Sequence, residues 1–328
     1  MGILVYEYFL GQELNDSFST AMLKEARLMI GSVANDLKKY YPDANISLLI
    51  NKAYKDIFES HTIVERNYKK NIVDEIVSYK RDFEDIIIIA PEEDNILYEI
   101  INKLEKQGIK AINCNSEFIK ISSNKLKINN FLKKSSPAKK HMIKTDLNYK
   151  KFPKNKKIVA KIIDGIGSEN LFIFNDRYEL EKNKKFITTN HIFQEFMDGK
   201  IVSINIISNG KKNFIISINE QIYKRKSNYE IVLKSINIGK FNYMDDLFRS
   251  FSSIILDNFK GSYGFIGIDA ILTDENKIFF LEINPRFTTS YIGLSKSLNF
   301  NPLQVLFDKE FSFDIKNNKI FEEGIHCG

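Results

Sequence analysis

Residues 265–286 read FIGIDAILTDENKIFFLEINPR, and this stretch decides the fold. Phe265 to Leu272 reads as a strand, Asp274-Glu275-Asn276 as a turn and Lys277 to Asn284 as the returning strand. Folding the hairpin about Glu275 and Asn276 sets Asp269 nearly opposite Glu282. Like charges facing each other across strands are destabilising unless something compensates them. Glu282 and Asn284 lie two apart and share one face of their strand. Three oxygen donors thus converge beside buried hydrophobes, a set that suits a hard divalent cation such as Mg²⁺ or Mn²⁺. Arg286 follows and can hold a phosphate oxygen. The competing reading is an edge hairpin whose acids face water. It would be preferred for the carboxylate pair alone and yields once Asn284, Pro285 and Arg286 are added.

Upstream, Lys157 to Ile163 reads as a strand that carries Lys161 and ends at Asp164-Gly165-Ile166-Gly167-Ser168. A lysine followed by a glycine loop offers a cation and backbone N–H donors to a polyphosphate. By themselves two glycines more often make only a turn, and no Gly-Lys-Ser/Thr opens a helix as in a Walker loop. At its strand end Lys161 is expected to be partly solvated. Gln194-Glu195-Phe196-Met197, before Asp198-Gly199, can present main-chain groups to an adenine edge, with Phe196 and Met197 as apolar walls. Alone, that segment would be an ordinary strand and turn.

The first third of the chain alternates strand and helix. Ile3 to Phe9, Ile46 to Ile50, Asp85 to Ala90 and Ile109 to Asn113 read as strands. Thr20 to Leu37, a helix closing at Val73 to Ser78, and Asn95 to Gln107 read as helices. The continuous run Ile86 to Ala90 fits a parallel strand buried on both faces. This is the grammar of an open parallel α/β sheet, placed at residues 1–115. Glu92 then sits past the carboxyl end of a strand, where such sheets bind ligands. After Ser116 come two short helices, the second capped by Ser123. The antiparallel strands expected next are Ile192 to Phe196, Ile201 to Ser208, Asn213 to Asn219 and Gln221 to Lys226, with a helix over Tyr243 to Phe259. The fold class is α/β (α+β), a parallel domain followed by antiparallel sheets.

Composition narrows the function classes. The chain has 328 residues, a net charge of +6, 26 Phe and 15 Tyr, enough for about two cored domains and against disorder. Its most apolar run is far shorter than the roughly 18 to 20 residues of a membrane span. Two cysteines, Cys114 and Cys327, exclude a disulfide scaffold and suit a cytoplasmic location; Cys114 is expected to be a buried small hydrophobe. Lys133, Lys134, Lys139 and Lys140 form the densest basic cluster, without interleaved aromatics, so no nucleic-acid partner is expected. The four histidines lack metal-ligand spacing and no Ser-His-Asp arrangement is readable, against a hydrolase.

These elements, in this order over about residues 116–310, resemble the ATP-grasp superfamily of carboxylate–amine ligases. The resemblance implies that Lys125 in SSNK and Lys161 contact phosphate, and that Gly165, Gly167 and Ser168 belong to the phosphate flap. It also implies that Gln194, Glu195, Phe196 and Met197 form the adenine hinge, that Asp269, Glu282 and Asn284 are the metal ligands, and that Arg286 is catalytic along with Lys161. The implied domains are 1–115, 116–193 (small ATP-grasp part) and 194–328 (C-terminal part with the metal site). Over nearly the whole chain, ILVYEYF at 3–9, IIIIAPEEDNILYE at 86–99 and EINPRFTTSYIGL at 282–294 resemble the tyramine–L-glutamate ligases of methanofuran biosynthesis. That implies ATP, a divalent metal, L-glutamate and tyramine, with Thr288, Thr289, Ser290 and Tyr291 on the acceptor side and Glu92 toward the substrate ammonium. The chain departs from the family pattern at Leu10-Gly11-Gln12-Glu13, where a glycine run is usual. It also has Asn124 for Asp, Ile162 for Pro, and Ile201 where an acid often meets the ribose. The alternatives are an ATP-grasp ligase for another amino-acid pair and a non-catalytic nucleotide-binding protein of ATP-grasp shape; oligomeric state is left open, a homodimer among the options.

Overall fold

The computed structural model describes residues 2–14, 18–165, 170–308 and 310–324. Four parallel strands form the first sheet in the order β3-β2-β1-β4: β1 (Gly2–Glu7), β2 (Asn45–Ile50), β3 (Thr62–Glu65) and β4 (Asp85–Ile89). Helix α1 (Thr20–Tyr40) covers one face, and α2 (Ile72–Ser78) with α3 (Ile96–Lys106) the other. The two-residue period of a strand divides each run between the two layers. Ile3, Val5, Ile87 and Ile89 pack with Ile30, Val33 and Leu37 of α1, while Leu4, Tyr6, Ile86 and Ile88 pack with Ile76, Leu97 and Ile101. The expectation of a strand buried on both faces is met by β4.

Helix α1 starts where Ser19 caps it, accepting from the Met22 N–H at 3.2 Å. It runs three residues beyond the expected Leu37, since Lys38 and Lys39 are good helix formers that favour a helix C-terminus. Residues 109–113 are not a strand. Ile112 donates its N–H to the Ile86 carbonyl at 2.7 Å. The Asn113 side chain then takes over both main-chain groups of Ile88, at 2.8 and 3.0 Å. Strand β3 escapes the sequence reading because it has only four residues, none fully buried.

Helices α4 (Ser116–Ser122), α5 (Lys125–Leu132) and α6 (Ser136–Lys139) lead into the second sheet. The cap of α5 is Asn124, which accepts from Lys127 N–H at 2.8 Å; Ser123, expected there, has its buried hydroxyl unpartnered among the described residues. The ten-stranded second sheet comprises β5 (Thr145–Asp146), β6 (Ile158–Ile162), β7 (Leu171–Phe174), β8 (His191–Glu195), β9 (Lys200–Ser208), β10 (Asn213–Arg225), β11 (Glu230–Ile238), β12 (Gly264–Leu272), β13 (Ile278–Asn284) and β14 (Phe321–Gly324). Its order is β13-β12-β9-β10-β11-β7-β6-β8-β5, with β14 added on β11. Helices α7 (Arg177–Lys182), α8 (Asp245–Leu256), α9 (Tyr291–Ser297) and α10 (Gln304–Phe307) complete the chain.

The two strands expected between 213 and 226 are one. Asn219, which looked like a break, is buried, donating to the Ser203 hydroxyl at 3.1 Å and accepting from Gly239 N–H at 3.0 Å. The expected helix 243–259 shortens to α8, because Asn258 folds back onto the Ile254 carbonyl at 2.7 Å. Cys114 is fully buried, as expected. Among the described residues no helix is long and apolar enough to cross a membrane.

Candidate active site

The hairpin of β12 and β13 pairs Asp269 with Glu282, as the sequence predicts, and also Gly267 with Asn284, with a register shift just after Asp269. Asp269 is 9% exposed. Its Oδ2 accepts from Asn284 Nδ2 at 2.9 Å and its Oδ1 from Gln221 Nε2, on β10, at 3.2 Å. Burial, and then the facing Glu282, push the Asp269 carboxyl up to about 7. Burial also pushes on Glu282, but Lys125 and Lys161 outweigh it and hold that carboxyl below its ordinary range.

Lys125, the first residue of α5, reaches Glu282 Oε2 at 3.1 Å and donates to the Gly165 carbonyl at 2.7 Å. Its own N–H binds the Ile163 carbonyl at 2.9 Å, so the helix start is tied to the end of β6. Lys161 on β6 is 9% exposed rather than solvated. Burial presses its ammonium down to about 8, with Lys125 acting the same way and Glu282 and Asp269 opposing. Gly165 lines the site; Gly167 and Ser168 lie outside the described residues.

Asp269, Glu282, Asn284 and Arg286 line one cleft of about 960 Å³. No group of three or more His, Cys, Asp or Glu is gathered for a metal among the described residues; the third donor here is an amide. The donor set nevertheless fits a hard divalent cation: two carboxylates face each other across strands, Asp269 has no salt bridge among the described residues, and the side-chain amide of Asn284 is hydrogen-bonded to Asp269.

Glu92 and Arg286 are brought together. Arg286 Nε donates to Glu92 Oε2 at 2.7 Å, and Glu92 Oε1 is buried with no partner among the described residues. The acid expected to meet a substrate ammonium is therefore committed to the arginine. Thr288, Thr289 and Ser290 line the cleft. Thr288 and Ser290 share a hydrogen bond of 2.9 Å, and Ser290 donates to Asn205 Oδ1 at 2.9 Å. Thr289 donates to Glu25 on α1. Tyr291, expected beside them, is withdrawn. It is fully buried against Phe265 and Phe287, and its hydroxyl donates to Asp36 Oδ2 at 3.0 Å. The turn into α9 points it to the core.

At the end of β8, Gln194 is buried and donates to the Thr145 hydroxyl at 3.0 Å. Glu195 and Phe196 give their N–H groups to the Lys144 and Lys157 carbonyls, and Phe196 lies under the Lys157 ammonium. Phe196 and Met197 are half-buried at the crossing to β9. Gly199, with φ +153, is needed there, since a Cβ would meet the Leu272 carbonyl oxygen at 2.6 Å.

The cleft also holds acids the sequence reading missed, Glu7 and Glu25. Glu7 ends the central strand of a parallel sheet, and the rule that singled out Glu92 applies to it equally. Glu25 and Gln221 carry no such signal, because only tertiary packing brings them near the hairpin.

With this geometry in view, comparisons with known proteins are specific. Residues 122–290 match the family model of the ATP-grasp domain. The chain belongs to the ATP-grasp family and is an ATP-dependent carboxylate–amine ligase. It is 31% identical over 301 residues to a tyramine–L-glutamate ligase of Methanocaldococcus fervens, covering 89% of each chain. It is 29% identical to the tyramine–L-glutamate ligase of Methanocaldococcus jannaschii, over 97% of this chain and 93% of that one. The fold is similar to the crystal structure of an ATP-grasp superfamily protein from Archaeoglobus fulgidus, with a TM-score of 0.74, 18% identity, and 98% and 91% of the two chains covered.

Proposed function

We propose that this ligase joins the γ-carboxyl of L-glutamate to the amine of tyramine, giving ADP, phosphate and γ-glutamyltyramine. The observation that carries the reading is the shared cleft. In it, the Asp269–Glu282–Asn284 constellation, faced by Lys125 and Lys161, runs directly into the Arg286–Ser290 loop. The substrate pair is taken from the two relatives and their coverage of almost the whole chain.

An amide forms from a carboxylate only once its oxygen becomes a leaving group, which phosphorylation by ATP provides. The protein's part is to position groups and to balance phosphate charge. Mg²⁺ or Mn²⁺, held by Asp269, Glu282 and Asn284, would neutralise charge on the β- and γ-phosphates. Lys125, Lys161 and Arg286 supply the remaining positive charge. Gly165, Gly167 and Ser168 form the segment that covers the phosphates and excludes water from the acyl phosphate. Adenine lies against Phe196 and Met197 at the end of β8, with Gln194 and Glu195 contributing main chain. Because the Glu195 and Phe196 N–H groups are already used, a base edge is read from Met197 onward. Thr288, Thr289 and Ser290 orient the acceptor side. Residues 1–115 form the substrate wall, and 116–193 and 194–328 enclose the nucleotide.

Mass spectrometry of reactions with ATP, Mg²⁺ or Mn²⁺, glutamate or aspartate, and tyramine or phenethylamine tests the assignment. γ-Glutamyltyramine is expected, with ADP release needing both the acid and the amine. Product from another pair and none from glutamate with tyramine would refute the substrate assignment.

A further inference from the structure

We propose that Glu7 takes the proton from the attacking amine, in a subsite completed by Glu25 and the apolar start of α1; this rests on the ligase reading above. An alkylamine in neutral water is an ammonium ion without a lone pair to attack with. A group in the cleft has to accept a proton, and the cleft's acids are not equivalent. Asp269 and Glu282 face each other on the hairpin, and Glu92 is bound to Arg286. Glu230, paired with Lys226 at 3.1 Å, and Glu322 and Glu323 line the cleft from β11 and β14, and Glu7 and Glu25 are left on the α1 side, beside the acceptor loop.

Glu7 is the better placed of the two. It ends β1, which lies between β2 and β4, and is 2% exposed while lining the cleft. The Leu10 N–H holds its Oε2 at 2.7 Å, so the carboxyl is oriented before any ligand arrives. The charged groups that act on it are Glu25 from α1 and Arg286 from the segment after β13. Phe9, Met22 and Ile292 line the same cleft and give an arylalkyl amine an apolar wall. Glu25 accepts from Thr289 and so ties this wall to the acceptor loop. Burial pushes the Glu7 carboxyl up to about 8, so its base form is the minor one at neutral pH and grows as pH rises through about 8; that places it closer to the range of an alkylammonium, where proton transfer is more efficient.

The step balances. The ammonium gives one proton to Glu7, and the freed nitrogen pair forms the N–C bond to the acyl phosphate. The C–O bond to phosphate breaks, the departing phosphate takes the second proton, and Glu7 returns its proton to water.

Glu7→Gln separates this role from acyl phosphate formation, because hydroxylamine is uncharged at neutral pH and traps an acyl phosphate without a base. With ATP, Mg²⁺ and glutamate, the variant should lose about 10²- to 10⁴-fold in amide formation from tyramine at neutral pH. Its formation of γ-glutamyl hydroxamate should fall far less. Above about pH 8, where the wild type levels off once Glu7 is ionised, the variant's amide rate should go on climbing about tenfold per pH unit with the free amine. An amide rate and pH profile like the wild type's would overturn the proposal, as would equal loss of hydroxamate and amide in a folded variant. Wild-type protein that yields no hydroxamate would overturn the ligase reading on glutamate, and the proposal with it. Should Glu7→Gln fail to fold, Glu7→Asp carries the test: amide formation should drop more than hydroxamate formation, and equal loss overturns the assignment.

Discussion

Replacing Glu7 by Gln should make the fold less sensitive to alkali. Burial raises the Glu7 carboxyl from 4.5 to about 8, against the smaller opposing effect of the Leu10 N–H. Between those values the folded protein holds a proton that the unfolded chain releases. The group's contribution is therefore fully present below about pH 4.5 and is lost as pH rises through about 8. A factor of ten in proton affinity is worth about 1.4 kcal/mol, so the rise from 4.5 to about 8 sets a ceiling of about 5 kcal/mol. Water entering the cleft and local relaxation bring this to roughly 2 to 4 kcal/mol. Gln keeps the volume and an acceptor for Leu10 but does not titrate. Urea unfolding of both proteins at about pH 5 and about pH 9 isolates the effect, since every other group is shared. The variant should gain on the wild type by that amount between the two conditions. A stability difference constant to within about 0.5 kcal/mol would refute the account of Glu7 as a buried acid.

Glu282→Gln should abolish turnover and cost about 1 kcal/mol, because it removes the partly exposed carboxylate 3.1 Å from Lys125; full activity with ATP would remove Glu282 from the metal set. Lys161→Ala should weaken nucleotide binding by roughly 1.5 to 3 kcal/mol, yet hold or raise the thermal midpoint, since its ammonium is buried and pressed down to about 8. Unchanged affinity in a nucleotide titration would take Lys161 out of the site. Tyr291→Phe should cost about 1 to 2 kcal/mol in urea unfolding by leaving Asp36 Oδ2 without the hydroxyl. It should change kcat little, and a large loss of turnover at unchanged stability would return Tyr291 to the substrate.

What could be read from sequence was what local period determines. The Asp269–Glu282 pairing follows from counting outward from a turn, and the burial of β4 on both faces from its unbroken apolar run. What escaped depends on side-chain direction or on distant partners. Nothing local says that Tyr291 turns inward while Thr288, Thr289 and Ser290 face the cleft; the buried Asp36 that receives its hydroxyl is 255 residues away. Asn219 and the 109–113 run misled in opposite directions, the first read as a break and the second as a strand. Asparagine signals a turn, but the Asn219 side chain accepts from the main chain of Gly239 and the strand runs on; at 109–113 the apolar run reads as a strand, but the Asn113 side chain makes the bonds to Ile88 that a strand's backbone would make. Lys161 looked solvated because a strand end usually is; β6 is instead an inner strand between β7 and β8, and the Lys161 side chain is buried near Glu282, Lys125 and Asp269.

The Asn113 arrangement bears on how this chain avoids sticking to itself. Strand β4 is the outermost strand on its side of the parallel sheet, and Ile86 to Ile89 is a run of four β-branched residues without charge or proline. An open edge of that composition is a template for cross-chain pairing. Covering it with another strand would only move the open edge outward. Asn113 instead meets the donor and acceptor of Ile88 with a side-chain amide, which has no further backbone ladder to offer a newcomer. The ladder ends there, and a change to a residue without an amide would uncover the most aggregation-prone segment of the sheet.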